Sequence, residues 1–509
     1  MNIKSISPLL VFVILFILVC FIYNVHETIF YAPTSSCSWR QADSASITIN
    51  YFQNGMDFWK QEFHLQGLEG GRKLTECPIL YYGIAGLYHI FGQHDWVFRG
   101  TNFMILFIGL LFFAKMIQSI FNNQVLTVGL PLLIFSSPLI NFYGPNFLPN
   151  TPAFGFVLIA IYYFYSYFIK KRQLFFYVSM LFFTLAGLIK LTSLIPFFLI
   201  IAFYGLEIIN LKFLKFETKI FENKTTIIPG FLMVIGIVGW WVLGTTDAGT
   251  LDPIWALDAP TRNMTLDYVL ANSFPDLFAP VAWIFFGGMF LFILFSPQKI
   301  GYPLYFANVL LFLGVLIVFF GIFRPLFSHT YYFIEFMVFP ICVLLSFLYY
   351  LKNNNSNIYQ HKYFNLVFIL LVTAHIAYGK VELNKRYNFI GHEYQWYNER
   401  QTDAEDIRNF LFSHGVKPTD IVISAPDPSP NVTLYTMNLK GHSEFSSPYT
   451  PLRPETVEAY GKGYVKYLVI HDKKYLERED LQRYFQYPVA NYEDFLFLFD
   501  LSFLKEENQ

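Results

Sequence analysis

The stretch PILYYGIAGLYHIFG, residues 78–92, decides the topology, because counting it as a membrane span would invert every later turn of the chain. It is apolar, but its 15 residues fall short of the roughly 20 that a helix needs to cross about 30 Å of hydrocarbon. It is also unusually aromatic, and we read it as a helix lying along the membrane interface. Longer apolar runs surround it. They lie near 8–25, 99–119, 124–141, 152–169, 174–190, 191–208, 227–244, 279–296, 303–323, 331–351 and 361–380, which gives eleven expected spans. The first has no small-residue cleavage site behind it, so it reads as an anchor and not as a removed signal peptide.

Composition agrees. Of 509 residues 55% are hydrophobic and 14% charged, against about 25% charged in a soluble domain, and mean hydropathy is +0.41. A net charge of −1 gives no reason to expect a nucleic-acid partner. With 60 Phe and 35 Tyr, a single aromatic carries little functional information.

Lysine and arginine set the expected orientation. With a cytoplasmic N-terminus, one side collects Lys4, Lys115, the KKR at 170–172, Lys212, Lys215, Lys219, Lys224, Lys299, Lys352 and Lys362. The short turns of the other side hold Lys190, Arg262 and Arg324. This asymmetry places both large polar segments, 26–98 and 381–509, outside the cytoplasm. The expected organisation is a transmembrane domain, 1–380, containing a first outer loop, 26–98, and an extracytoplasmic domain, 381–509.

In that last domain a helix-like stretch TDAEDIRNFLFSHG (402–415) begins with a capping-box pattern, Thr402 and Glu405. Short apolar runs follow at DIVISAP (420–426), YVKYLVIH (464–471, after PETVEAYGKG) and FLFLFDL (495–501), which suggests a small α/β fold. The stretch SPNVTLYTMNLKGH (429–442) reads as a helix entry, structural before functional. No glycine-rich phosphate loop or metal-ligand spacing occurs, so the sequence indicates no cofactor and gives no sign of a divalent metal. Cys20 and Cys342 fall in apolar runs as packing residues. Cys37 and Cys77 share the outer loop, where either a disulfide or two thiols fits.

Charges in or near the apolar phase cost roughly 2.5–3.5 kcal/mol at a helix centre, and those that persist usually face a cavity. On the expected outer side they are Arg40 and Asp43 in SCSWRQADSAS (36–46), then Arg72, Lys73 and Glu76, then Lys190, then Arg324 and His329. Asn141, Asn146 and Asn150 stand in NFYGPNFLPNTPA. Each has a plain alternative. Arg40 and Asp43, three apart, could pair with each other; Trp39 could be an interfacial anchor; Lys190 could snorkel; His329 could be a satisfied loop histidine. Basic groups gathered beside a carboxylate suit an anionic lipid head group and a reaction that needs a base.

The run WRQADSASITINYFQNGMDF, then LTECPILYYGIAGLYHIFG, then Arg99 entering the next span, resembles the first outer loop of the GT-C membrane glycosyltransferases. More narrowly it resembles the family 39-like branch of protein O-mannosyltransferases and the aminoarabinose transferases that modify lipid A. The likeness continues through FLPNTPAF, GLIKLTSLIP and HTYYFIEFMVFP, over roughly residues 1–380. It implies a polyprenyl-phosphate-linked sugar donor, an extracytoplasmic active site in a bacterial inner membrane, and an acid early in the first loop as catalytic group, here Asp43. Two positions depart from the pattern. Asn150 stands where relatives often have an aspartate, and Glu76 where the aminoarabinose type has a lysine.

The expectation is therefore an inverting glycosyltransferase with Asp43 as base and Glu76 as a second acid or a contact to sugar or acceptor. Lys190, Arg40, Arg72 and Arg324 would bind the donor phosphate, and Trp39, Asn150, His329 and Tyr331 the substrates. The acceptor would be a hydroxyl of a lipid, glycan or protein. A lipid-sugar transporter or flippase is the alternative; it calls for inverted repeats and helices broken near the midplane, and the sequence displays neither.

Overall fold

The computed structural model describes residues 7–66, 76–209, 219–245, 253–388, 404–446 and 452–506. Its contacts divide the chain into two compact units, Met1–Ile29 with Arg99–Tyr387, and Phe30–Phe98 with Asn388–Gln509. The first outer loop, expected to belong with the helices, is grouped with the tail.

The first unit is helical. Asp95–Phe121, Asn150–Lys170, Leu191–Ile209, Lys224–Gly244, Tyr302–Gly321, Thr330–Asn354 and Phe364–Tyr387 are long and apolar enough to cross a membrane. Ala259–Leu277 and Pro280–Phe295, bent by 89°, form an eighth if taken together. Every run expected to span is thus helical, but Pro8–Ile22, Gln124–Phe135 and Gln173–Ile189 are shorter, and among the described residues length and composition support seven or eight spans against the eleven expected. Local chemistry explains two of the early stops. Gln124–Phe135 is followed by Ser136, Ser137 and Pro138, and the proline opens a new helix, Pro138–Tyr143. Gln173–Ile189 ends where Lys190 turns extended, at φ −153°.

Large apolar side chains such as Ile284, Phe295 and Ile317 are exposed on these helices, as lipid-facing surface requires. Close approach is left to small residues: a Cβ on Gly109 would lie 2.6 Å from the Gly155 carbonyl oxygen. Buried polar groups tie down the irregular backbone. The fully buried Arg99 donates to the carbonyls of Thr28 (3.2 Å) and Pro145 (2.6 Å), and Asn102 donates to those of Asn146 (2.7 Å) and Leu148 (3.2 Å).

In the second unit the tail forms a five-stranded sheet: β1 (Ile421–Ala425), β2 (Lys440–Ser443), β3 (Tyr467–Ile470), β4 (Pro488–Tyr492) and β5 (Leu496–Asp500), in the order β2-β1-β3-β5-β4. β1 runs parallel to β2 and β3, and β5 antiparallel to β3 and β4. Along β3, Leu468 and Ile470 enter one core with Val457, Leu481 and Leu501, while Tyr467 and Val469 enter another with Ile407, Leu411 and Leu434. The period of two fills both faces of the sheet. The expected runs became the helix Ala404–Ser413 and strands β1, β3 and β5; Thr402 lies outside the described residues.

The loop joins this sheet. Leu65 bridges Gly441 in parallel, with Gln66 N–H donating to the Gly441 carbonyl (2.6 Å) and Gly441 N–H to that of His64 (3.0 Å). Only glycine fits at 441, since a Cβ would sit 2.1 Å from the Val422 carbonyl oxygen.

Candidate active site

The segment 38–53 is rich in serine, threonine and asparagine, yet its helix, Ser38–Gln53, buries Gln41, Ser44, Ser46, Thr48 and Asn50. Such burial requires hydrogen-bond partners, and the unit supplies them. Gln41 Nε2 donates to the carbonyls of Thr34 (2.7 Å) and Ser36 (2.9 Å), fixing the entry to the helix. Two residues further, the half-buried Asp43 accepts at Oδ1 from Asn431 Nδ2 of the tail, 2.7 Å. Asn431 Oδ1 in turn accepts from the Leu65 backbone N–H, 2.8 Å.

His64 closes the next turn. Its N–H donates to Ser46 Oγ (2.8 Å), Ser46 Oγ lies 2.6 Å from Nδ1, and Nε2 lies 3.2 Å from Asn438 Oδ1. Ser46 therefore donates to Nδ1, and Nε2 carries the ring proton. Burial lowers the ring from 6.5 to about 4, so it is neutral. Lys440 to Glu62 (2.6 Å) and Tyr435 to Asp95 (2.5 Å) fasten the loop to the tail at two further points.

Arg40 pairs with Glu76, and both meet the Tyr81 hydroxyl, 3.2 Å from Arg40 Nη2; Ser44 Oγ lies 3.4 Å from Arg40 Nη1. Within this structure Arg40 and Glu76 thus neutralise each other. Trp39 is half-buried beside them. Arg72 and Lys73 lie outside the described residues. Cys37 and Cys77 are both buried thiols with no disulfide between them, and burial pushes Cys77 up to about 11, which leaves little thiolate.

The remaining expected residues belong to the helical unit. The Lys190 ammonium stands 4.3 Å from the Tyr332 ring centre and 5.7 Å from that of Tyr331, a cation–π arrangement. Asn150 Nδ2 donates to Glu335 Oε1, 2.7 Å, both side chains buried. His329 Nδ1 lies 2.9 Å from Ser328 Oγ and 3.0 Å from the Pro325 carbonyl, the local satisfaction of a loop histidine. Arg324 is exposed at the start of the 3₁₀ turn Arg324–Phe327. A buried ion pair joins Arg386 to Asp276, with Arg386 Nη2 3.2 Å from Thr330 Oγ1 and the guanidinium 5.5 Å from the Tyr143 ring.

The expected set therefore divides, with Trp39, Arg40, Asp43 and Glu76 in one unit and Asn150, Lys190, Arg324, His329 and Tyr331 in the other. Sequence reasoning passed over Asn431, His64, Tyr81, Glu335, Asp276 and Arg386. Glu335 had a usable signal, a carboxylate inside the apolar run HTYYFIEFMVFP. Asn431 lies in a stretch already singled out, but nothing local marks its partner.

Residues 75–243 match the profile of the family described as dolichyl-phosphate-mannose-protein mannosyltransferase. A protein of Aquifex aeolicus (strain VF5), described as an uncharacterized protein, is 25% identical over 237 residues, which is 45% of this chain and 42% of that one. The match thus spans less than half of that relative's length. Among solved structures, ArnT from Cupriavidus metallidurans in the apo state superposes with a TM-score of 0.61 at 11% identity, covering 97% of this chain and 98% of that one. The same protein bound to undecaprenyl phosphate gives 0.57 at 12% identity, over 96% and 98%. The Archaeoglobus fulgidus oligosaccharyltransferase in the apo form gives 0.56 at 13%, over 92% and 70%. At such identities the likeness is one of fold. This chain is an integral membrane protein with the fold of the GT-C membrane glycosyltransferases.

Proposed function

We propose that the chain is an inverting glycosyltransferase that moves a sugar from a polyprenyl-phosphate donor to a hydroxyl of a lipid, glycan or protein, outside the cytoplasm. The observation that carries this reading is the carboxylate of Asp43, set on a rigid helix and held at one oxygen by Asn431. The GT-C fold and the match over 75–243 support it, as does the undecaprenyl phosphate bound by ArnT, a protein of the same fold.

In the reaction the acceptor oxygen forms a bond to the anomeric carbon as the bond from that carbon to the phosphate oxygen breaks. The acceptor proton passes to Asp43, and the lipid leaves as polyprenyl phosphate. Such a base typically contributes 10²–10⁴-fold, and a single direct displacement inverts the anomeric centre. Taken by itself, the helical unit offers Lys190, held over the Tyr331 and Tyr332 rings, as a group that would bind an anionic phosphate. Arg40 and Glu76, paired with each other, would shape the surroundings of Asp43 instead of taking separate roles on donor and acceptor.

The test is transfer from radiolabelled undecaprenyl-phosphate mannose and undecaprenyl-phosphate aminoarabinose to a cell-envelope acceptor fraction by the purified protein. Transfer that disappears in Asp43→Asn supports the reading, and normal turnover in that variant ends the base assignment. The 89° break between Ala259–Leu277 and Pro280–Phe295 is a feature a transporter would share. Vectorial lipid movement without transfer from either donor would favour that alternative.

A further inference from the structure

Asn431 is 388 residues from Asp43 in sequence, and the two ends of its side-chain amide are held differently. A backbone N–H can only donate, so the Leu65 N–H identifies the amide oxygen, and the amino group is left directed at Asp43. Asn431 is itself fixed from below. Asp427 accepts from Ser429 N (2.8 Å), Ser429 Oγ (2.5 Å) and Thr433 N (2.9 Å), and Ser429 Oγ accepts from Val432 N (2.9 Å). The Ser443 hydroxyl, at the end of β2, donates to the Ser429 carbonyl, 2.7 Å. Asp427, Ser429 and Asn431 are fully buried. A turn pinned in this way has one conformation to offer. Further ties between loop and tail, among them Lys440 to Glu62 and Tyr435 to Asp95, fasten the unit through different side chains.

We infer that Asn431 is a positioning residue for Asp43, so that the tail completes the reaction site. The inference rests on the reading of Asp43 as the base. The amide holds the carboxylate in one orientation. Transfer then requires the tail for chemistry as well as for folding.

Three variants of the full chain test this in detergent. Asn431→Ala lowers kcat, counted per folded molecule at a temperature where its own unfolding curve shows the native state, at least tenfold, with KM for the donor that wild type uses changed by no more than about twofold. Asn431→Asp keeps the acceptor for Leu65 but sets a second carboxylate against the first; it lowers kcat further and the unfolding temperature by about 5 °C. Combining Asn431→Asp with Asp43→Asn re-forms the hydrogen bond with the roles exchanged. Most of the lost unfolding temperature returns while transfer stays abolished. Wild-type turnover in both single variants, beside an inactive Asp43→Asn, overturns the positioning role and leaves the base standing. An unchanged unfolding temperature in Asn431→Asp, or no recovery in the double variant, overturns the contact itself, even if no donor has been found. Activity that survives Asp43→Asn removes the base instead, and the temperatures still decide the contact.

Discussion

Helices Ser38–Gln53 and Tyr302–Gly321 have 16 and 20 residues and opposite habits. The first buries serines, a threonine and an asparagine against hydrogen-bond partners. The second exposes Leu313, Ile317 and Phe320, and buries Asn308, which reaches Ser346 Oγ at 2.8 Å. Beside lipid, exposed apolar surface carries no penalty and a polar group must turn inward. Burial therefore means different things in the two units. In the loop-and-tail unit, buried polar groups such as Gln41, Ser46 and Asn431 are met by side-chain and backbone partners of the same unit. In the helical unit, the charge of Arg386 is met by the Asp276 carboxylate, the Thr330 hydroxyl and the Tyr143 ring among apolar helices.

The largest test of this contrast is Asp43→Asn, which removes the proton acceptor while keeping shape and the amide contact. Transfer should fall by about 10²–10⁴-fold with the unfolding temperature nearly unchanged. Arg386→Leu should show the reverse character. It leaves the Asp276 carboxylate uncompensated in a low-dielectric setting and costs about 3–5 kcal/mol, read as thermal unfolding in detergent. Replacing both partners by apolar residues should recover most of that loss, and equal damage from the double variant would mean the pair does more than neutralise charge.

Lys190→Met sharpens the helical side. If this ammonium binds phosphate, affinity for undecaprenyl phosphate measured by calorimetry should drop about tenfold or more, the scale of one hydrogen bond to a charged group. A last expected effect is a pH dependence in the loop-and-tail unit. His64 is depressed from 6.5 to about 4 by burial, with Arg408 and Lys440 acting in the same direction and Asn438 against them. The unfolded chain therefore takes up the proton first, and stability is lost as pH falls from about 6.5 toward 4, by at most about 1.4 kcal/mol per pH unit. His442, also lowered to about 4 by burial, adds to the same window. Unfolding followed against pH should thus flatten only in part in His64→Gln.

Legibility followed the same division. Helices of the membrane unit could be read because twenty apolar residues are a local property. Two of the three short cases could not be sized, since the break at Ser136 and Ser137 before Pro138 and the extended backbone at Lys190 interrupt helices within apolar sequence. Strands β1, β3 and β5 announced themselves as apolar runs. β2, with the sequence KGHS, did not, because its burial depends on Leu65 and Gln66 lying alongside it, almost four hundred residues earlier. β4 was hidden for another reason: it is a largely exposed edge strand with no apolar run. At the site, Asp43 could be singled out from WRQAD, but the partners of Arg40 and Glu76 could not. The sequence suggests a separate task for each, and in the structure they hold each other.

The sequence by itself determined the membrane class, the helical runs and the apolar strands at the heart of the tail's sheet. Burial of apolar surface sums over neighbouring residues, so a string of them is enough to predict it. Tertiary structure alone decided that the loop belongs with the tail, that Arg40 meets Glu76, and that Asn431 reaches Asp43. A hydrogen bond exists only when donor and acceptor fall within a few tenths of an ångström of the right separation. Between residues 388 apart, only the packing of the whole unit sets that distance.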